Sequence, residues 1–381
     1  MTDSATAPEA ARDGGTSDGT APDGATTAAF ADRVFGSVLG AIELLSIHLG
    51  DRLGWYRALD EAGPLSSAEL AARTGTVERY AREWLEQQAV NGILTVDEAD
   101  AAAPASERRF ALPPAHAGVL TDTASLDYMA PIARMITAAA MRADSLVEAY
   151  RGGGGVSWAQ FGDHAHESQA DVNRPWFERR LGDAIASVAE LDAVLSRPGA
   201  RIADVGCGHG WSTLALARAY PSARVVGIDV DEPSIAAARE NAEAAGLVDR
   251  VEFRLAGGEE LAEPGAFDAG FVFEALHDMP RPVEVLDAMR RAVRGDGAVV
   301  IMDEAVAPAF APDGDDVERL MYGYSILMCL PDSLATPGSV GTGTVMRQAT
   351  LERYATEAGF SRIEELPIED FAMFRFTRLV H

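Results

Sequence analysis

Apolar positions along the chain fall into two regimes. Between Phe30 and Leu45 they recur at three- and four-residue spacing, through Val34, Val38, Leu39 and Ile42, which predicts an amphipathic helix and the start of a compact helical region. From Arg201 onward short apolar runs alternate with longer mixed stretches. The runs at 201–205, 224–229, 251–255, 269–273 and 298–302 predict strands, and the stretches at 212–220, 232–245 and 282–294 predict helices. Punctuation agrees: Asp231-Glu232-Pro233 opens one helix and Gly246 ends it, while Pro282 opens the next and Gly295 closes it. Repeated strand–helix units predict a parallel sheet covered by helices on both faces. The chain ends in a helix over Thr350–Ala358, stopped by Gly359, and two strands at 361–365 and 371–377. Ahead of all this, residues 1–28 offer almost no side chain larger than alanine to bury, which predicts a disordered tail.

The region between the tail and the sheet divides in two. Over 29–115, Ser66-Ser67-Ala68-Glu69 caps a helix, Thr74-Gly75-Thr76 turns, and Glu78–Asn91 forms a second helix. Gly92–Val96 and Arg109–Leu112 are then spaced to pair as a hairpin, a pattern similar to a winged helix. A DNA-reading version needs a basic second helix, yet Glu78, Arg79, Arg82, Glu83 and Glu86 sum to about −1, so packing or dimerisation is the expected use. Residues 116–196 read as helices interrupted by Gly152-Gly153-Gly154-Gly155, a loop or hinge that makes this segment a linker and substrate lid. Trp158, Trp176 and Phe177 flank that loop as packing residues or as a pocket wall. His164 and His166, an i, i+2 pair without a third ligand, do not make a metal site.

Composition narrows the chemistry. The 381 residues suit two domains, and 59 acidic against 32 basic side chains give a net charge of −27, which disfavours nucleic acid and anionic membranes as partners. All 32 basic residues are arginine, so enzymes built on a phosphate-gripping or imine-forming lysine are excluded. Two cysteines are too few for a thiolate metal cluster or a disulfide scaffold. No uninterrupted apolar run reaches the ~18 residues of a spanning helix, and the first thirty residues lack a signal-peptide pattern, so a cytoplasmic protein is expected.

The first strand of the sheet runs into Asp204-Val205-Gly206-Cys207-Gly208-His209-Gly210 and then a helix. Glycines there let backbone amides approach a nucleotide-like ligand at the helix start. Asp229, at the end of the next strand and about 20 residues on, suits ribose hydroxyls. Trp211 follows the glycines where a dinucleotide fingerprint would be running toward its third glycine, which disfavours a nicotinamide dehydrogenase. After the fourth strand comes Phe273-Glu274-Ala275-Leu276-His277-Asp278, and after the fifth Met302-Asp303-Glu304.

On these motifs the chain resembles class I S-adenosylmethionine-dependent methyltransferases over 200–381, within a domain expected to span 197–381. In layout it is similar to actinobacterial small-molecule methyltransferases and, more distantly, to plant-type O-methyltransferases. The resemblance implies a Rossmann-like, seven-stranded α/β methyltransferase domain preceded by a mostly helical winged-helix domain. It implies S-adenosylmethionine as cofactor, bound by Asp204, Gly206, Gly208, Gly210, Asp229 and Phe273. The family's adenine-binding Asp after the third strand is replaced here by Ala256-Gly257-Gly258-Glu259, leaving Glu259 or backbone groups for that role. His277 matches the family's general base and Glu304 the carboxylate that orients it. The apolar stretch 317–330, with Met321, Tyr322 and Tyr324, is a candidate substrate wall beside its alternative as core. The implied reaction is methyl transfer to a small secondary metabolite, at oxygen first and at carbon or nitrogen as the near alternative, by a homodimer without a metal. A cofactor-sensing regulator without turnover is the reading from another class.

Overall fold

A computed structural model describes residues 26–261 and 264–381. Nearly all of the expected tail therefore lies outside the described residues. Two compact units divide between Leu44 and Leu45, inside the single helix Thr27–Arg52. In the first unit the apolar positions anticipated from periodicity, Phe30, Val34, Val38, Leu39 and Ile42 among them, are all exposed. By length and composition an 18-residue window of this helix also passes for a membrane span, at a mean hydropathy of 1.3 and with no more than two charged residues, Glu43 among them. That differs from the expectation drawn from uninterrupted runs, because a span tolerates one or two charges.

The second unit opens with the winged-helix region. Ser66 accepts the Glu69 N–H while the Glu69 carboxylate accepts the Ser66 N–H, a reciprocal cap that starts the helix Ser67–Thr74. The following helix, Glu78–Val90, buries Ala81, Trp84 and Leu85, and Trp84 packs on Trp55 at 4.8 Å. Its Arg79 and Arg82 are each ion-paired to a glutamate on the same helix. The expected hairpin is not a ladder: Thr95 bridges Ala111 and Phe110 bridges Leu65, each as an isolated pair. A short helix at Glu98–Ala101 lies in the intervening chain, and the pairing of the two segments is confined to the reciprocal Thr95–Ala111 bonds.

Seven strands form one sheet: β1 (Arg201–Val205), β2 (Arg224–Asp229), β3 (Val251–Leu255), β4 (Phe267–Phe273), β5 (Val293–Glu304), β6 (Arg362–Glu365) and β7 (Phe374–Val380), in the order β3-β2-β1-β4-β5-β7-β6. The first five are parallel, and β7 runs antiparallel between β5 and β6. Alternation decides the faces. Ile202, Ala269, Phe271 and Phe273 join one core with the helices Trp211–Ala219 and Glu232–Ala245, while Ala203 and Val272 join the other with Pro282–Ala292 and Gln348–Glu357. Burying each such large side chain contributes about 1.5–3 kcal/mol.

Several boundaries moved by a few residues, two of them for a visible reason. β5 begins at Val293, where a helix was expected to continue to 294, because Val293 pairs with Phe267 before the register shifts toward Ala269↔Ala298. The last strand begins at Phe374, not 371. Asp370 and Ala372 adopt φ of 55° and 50°, a turn that drops Phe371 into the core against Trp176 and Phe376. The glycine run does interrupt the helices, and Gly155 has its own cause: a Cβ there would run into the backbone of Pro331 and Ala335.

Candidate active site

Strand order reverses between β1 and β4, and the crevice at the carboxyl ends of those strands is where such sheets bind ligands. A cleft of about 690 Å³ occupies that position. Its floor is the turn after β1. Gly206 and Gly208 line it with φ of 77° and 50°, and a Cβ on Gly206 would come within 2.7 Å of the Ala275 Cβ. The Gly208 N–H donates to Asp229 Oδ2 at 2.8 Å and the Asp231 N–H to Oδ1 at 2.9 Å, which fixes the Asp229 carboxylate at the cleft edge. Burial raises the Asp229 pKa, and these backbone bonds partly offset it.

Val205, Cys207 and His209 of the glycine motif line the cleft as well, whereas Gly210 and Asp204 do not. Gly210 starts the helix Trp211–Ala219, and its open side is filled by the Phe253 ring, 2.7 Å from where a Cβ would sit. Asp204 is fully buried and accepts from Ser212 Oγ at 2.7 Å and Thr213 Oγ1 at 2.5 Å, so its carboxylate pins the helix start to β1. Burial lifts its pKa to about 6. Glu259 does line the cleft, folded back over Gly257 and ion-paired to Arg281 at 3.3 Å. Phe273 lines it too, stacked on Phe271 at 5.3 Å.

His277, 2% exposed, lines the same cleft. Its Nδ1 lies 2.7 Å from Asp303 Oδ1 and 3.3 Å from Glu304 Oε2, and its Nε2 lies 3.4 Å from Asp278 Oδ1. The carboxylate expected to orient the ring was Glu304; Asp303 is the closer partner. Burial opposes charging the ring, but Asp278, Asp303 and Glu304 more than offset it, so the His277 pKa stands well above the ordinary 6.5. Burial first, then the Asp303 charge, raises Glu304. The physical picture is an imidazolium bonded to the Asp303 carboxylate, with the buried Glu304 carboxyl alongside. Donor atoms of His277, Asp303 and Glu304, and of His277, Asp278 and Cys329, lie within 4.8 Å of one another.

Of the expected walls, Trp158, Trp176, Phe177, Met321 and Tyr324 line the cleft. Tyr322 does not; its hydroxyl accepts from Arg347 Nη2 at 3.2 Å. Sequence reading passed over Glu274, although it directly follows β4. It holds φ at 51°, a conformation rarely kept by a side chain of its size without cause, and accepts from Asn173 Nδ2 at 2.6 Å. Also missed were His166, Gln169 and Asn173, which lie not on a loop but on the helix Asp163–Trp176. Their spacing of three and four residues, continuing to Trp176, was the available signal. A π-helical turn at Phe177–Leu181 then brings Phe177 to the same side, and a second at Ser325–Cys329 follows Tyr324 and carries Met328 and Cys329 to the opposite wall. Burial pushes the Cys329 thiol up to about 12, which leaves it a poor nucleophile. The helix Asp163–Trp176 is held by Arg134, 5% exposed, which pairs with Asp171 at 2.6 Å and Asp51 at 3.0 Å.

Comparison with known proteins gives this geometry a setting. Residues 202–297 match the model of a methyltransferase domain, and residues 40–122 that of an Rv2258c-like winged HTH domain. Over 164 residues the chain is 32% identical to the 27-O-demethylrifamycin SV methyltransferase of Amycolatopsis mediterranei, covering 42% of this chain and 58% of that one. The chain spans about half the length of the curated relatives it matches. Mitomycin 7-O-methyltransferase superposes with a TM-score of 0.67 at 22% identity over 93% of this chain and 98% of its own. The O-methyltransferase NcsB1 of neocarzinostatin biosynthesis, solved with S-adenosylmethionine and 2-hydroxy-5-methyl naphthoic acid, gives 0.62 at 18% identity over 89% and 95%. At these identities the likeness of structure is one of fold.

Proposed function

We propose that this chain, a winged-helix domain followed by a methyltransferase domain, transfers the methyl group of S-adenosylmethionine to an oxygen of a small secondary metabolite. The observation that carries the reading is that one cleft is lined by Gly206, Gly208 and Asp229 and also by His277, whose ring is bonded to Asp303. Asp229 has the geometry to accept from the ribose hydroxyls, the glycine turn to admit the amino-acid end of the cofactor, and Phe273 and Glu259 to flank its base. When bound, the cofactor supplies an activated methyl group. The protein's part is alignment, exclusion of water and removal of a proton. The Asp303 bond at Nδ1 fixes the tautomer in which Nε2 is the basic atom, and the raised pKa makes that atom a stronger base, closer in pKa to a phenol. Trp158, Trp176, Phe177, Met321 and Tyr324 form the walls that hold the acceptor, with segment 116–196 as the lid.

Incubating the purified protein with methyl-labelled S-adenosylmethionine and a metabolite extract should give a labelled product in which methyl replaces one proton, read by mass spectrometry. Asp229→Ala should weaken cofactor binding by about 1.5–3 kcal/mol, the worth of hydrogen bonds to a charged group. The protein acts as a homodimer in this reading, since the helix Thr27–Arg52 leaves more apolar surface exposed than a monomer ordinarily carries. Light scattering should return about twice the chain mass.

A further inference from the structure

We propose that His277, Asp278 and Cys329 form a binding site for a soft divalent cation of the zinc type, which shuts off the base when it binds. The site stands on its own geometry, and only the shut-off rests on the reading above. One ligand atom from each of the three residues lies within 4.8 Å of the others, and all three residues line the cleft. His277 Nε2 and Asp278 Oδ1 are 3.4 Å apart. Two such ligands on a tetrahedral zinc, each ~2.1 Å from the metal, stand about 3.4 Å apart, so this pair already has coordination spacing. Asp278 Oδ1 is buried without a hydrogen-bond partner, as is the Oγ1 of Thr344, 2% exposed, whose side chain faces the Cys329 thiol. Buried oxygens without a donor are costly, and a cation beside them offsets the cost.

The far side of the imidazole is arranged for the same task. Its Nδ1 meets Asp303 Oδ1 at 2.7 Å, and a ring N–H held by a carboxylate is the support that metal-bound histidines ordinarily have. That bond also keeps a cation off the neighbouring donor set of His277, Asp303 and Glu304, which would use the carboxylate side of the ring. Thiolate and imidazole together favour zinc or cobalt over magnesium or calcium. Asp278 and Cys329 are each partly exposed, which leaves an entry path along the cleft. Binding replaces the Nε2 proton of the imidazolium and the thiol proton by two bonds to the metal and releases both protons to solvent. The Nε2 lone pair is then committed, so cation binding and proton removal exclude each other. Zinc here is an inhibitor and not a cofactor, and the methyl transfer described above proceeds without it.

The test uses the full chain, stripped with a chelator and desalted, with cobalt(II) as a spectroscopic probe. Titration should show one cobalt per chain and a thiolate-to-cobalt charge-transfer band in the near ultraviolet, abolished by an equivalent of zinc and unaffected by an about 100-fold excess of magnesium. Cys329→Ser should lose the band, and Cys207→Ser, in the glycine turn, should keep it. Should Cys329→Ser fail to fold, Asp278→Asn should weaken cobalt binding about 10-fold or more. No band in the wild-type chain, a band that survives in Cys329→Ser, or one abolished by magnesium would overturn the site. Zinc should also stop labelled-methyl transfer to the metabolite extract, and a chelator should restore it. Undiminished transfer by the zinc-loaded chain would overturn the shut-off. Failure to bind S-adenosylhomocysteine, or to transfer methyl without zinc, would overturn the methyltransferase reading and the shut-off with it, while the cobalt band would still decide the site.

Discussion

His277→Ala should lower turnover by about 10²–10⁴, the usual worth of positioned proton transfer, and leave cofactor affinity nearly unchanged. The sign of the pH dependence follows from the ring's surroundings. A base works only when deprotonated, so the wild-type rate should rise with pH, and its midpoint should lie above the ordinary histidine value of 6.5 because Asp278, Asp303 and Glu304 hold the proton on. Asp303→Asn removes the closest of these charges, 2.7 Å from Nδ1, and should move the midpoint down as well as slow the reaction. Glu304→Gln should produce a smaller loss, because Glu304 Oε2 stands 3.3 Å from Nδ1, farther than the Asp303 oxygen. Steady-state kinetics across pH on the identified substrate measures all three. Near-normal turnover in His277→Ala would mean that alignment alone suffices, and an acceptor carbon, nitrogen or pre-ionised oxygen would then replace the hydroxyl in this account.

The second large effect concerns stability. Asp204 has no cation beside it, and burial holds its pKa at about 6 against an ordinary 3.8. The folded chain therefore keeps a proton that the unfolded chain loses first. Stability from this group is fully present below about pH 4 and is lost as pH rises through about 6, a change of about 3 kcal/mol. Asp204→Asn retains an oxygen to accept from Ser212 and Thr213 but cannot ionise. Urea denaturation of the two proteins across that pH window should show wild type losing stability relative to the variant. Parallel curves would contradict the assignment of an uncompensated buried carboxylate.

The sheet was legible because its strands sit at alternating, near-continuous apolar runs, and the glycine turn with Asp229 was legible because backbone geometry demands those residues at that spacing. Roles within the motifs were less so. Asp204 and Gly210 share the motif with Gly206 and Gly208, yet one anchors a helix and the other packs against Phe253, a division set by which way each points from the turn. Glu274 carried no motif; its importance comes from a backbone angle and from Asn173, a hundred and one residues away. The wing was legible in part: its two segments do pair, at Thr95 and Ala111, but only as an isolated bridge, with a short helix at Glu98–Ala101 between them. The closing strand slipped by three residues because burying Phe371 outweighed extending the strand through it.

The central claim, that this cleft holds S-adenosylmethionine across the glycine turn and Asp229, is tested most directly by calorimetric titration of the purified chain with S-adenosylmethionine, S-adenosylhomocysteine and NADH. The account predicts one site per chain for the first two, weakened in Asp229→Ala, and no measurable heat from NADH. Tight NADH binding with no response to either sulfur ligand would contradict it.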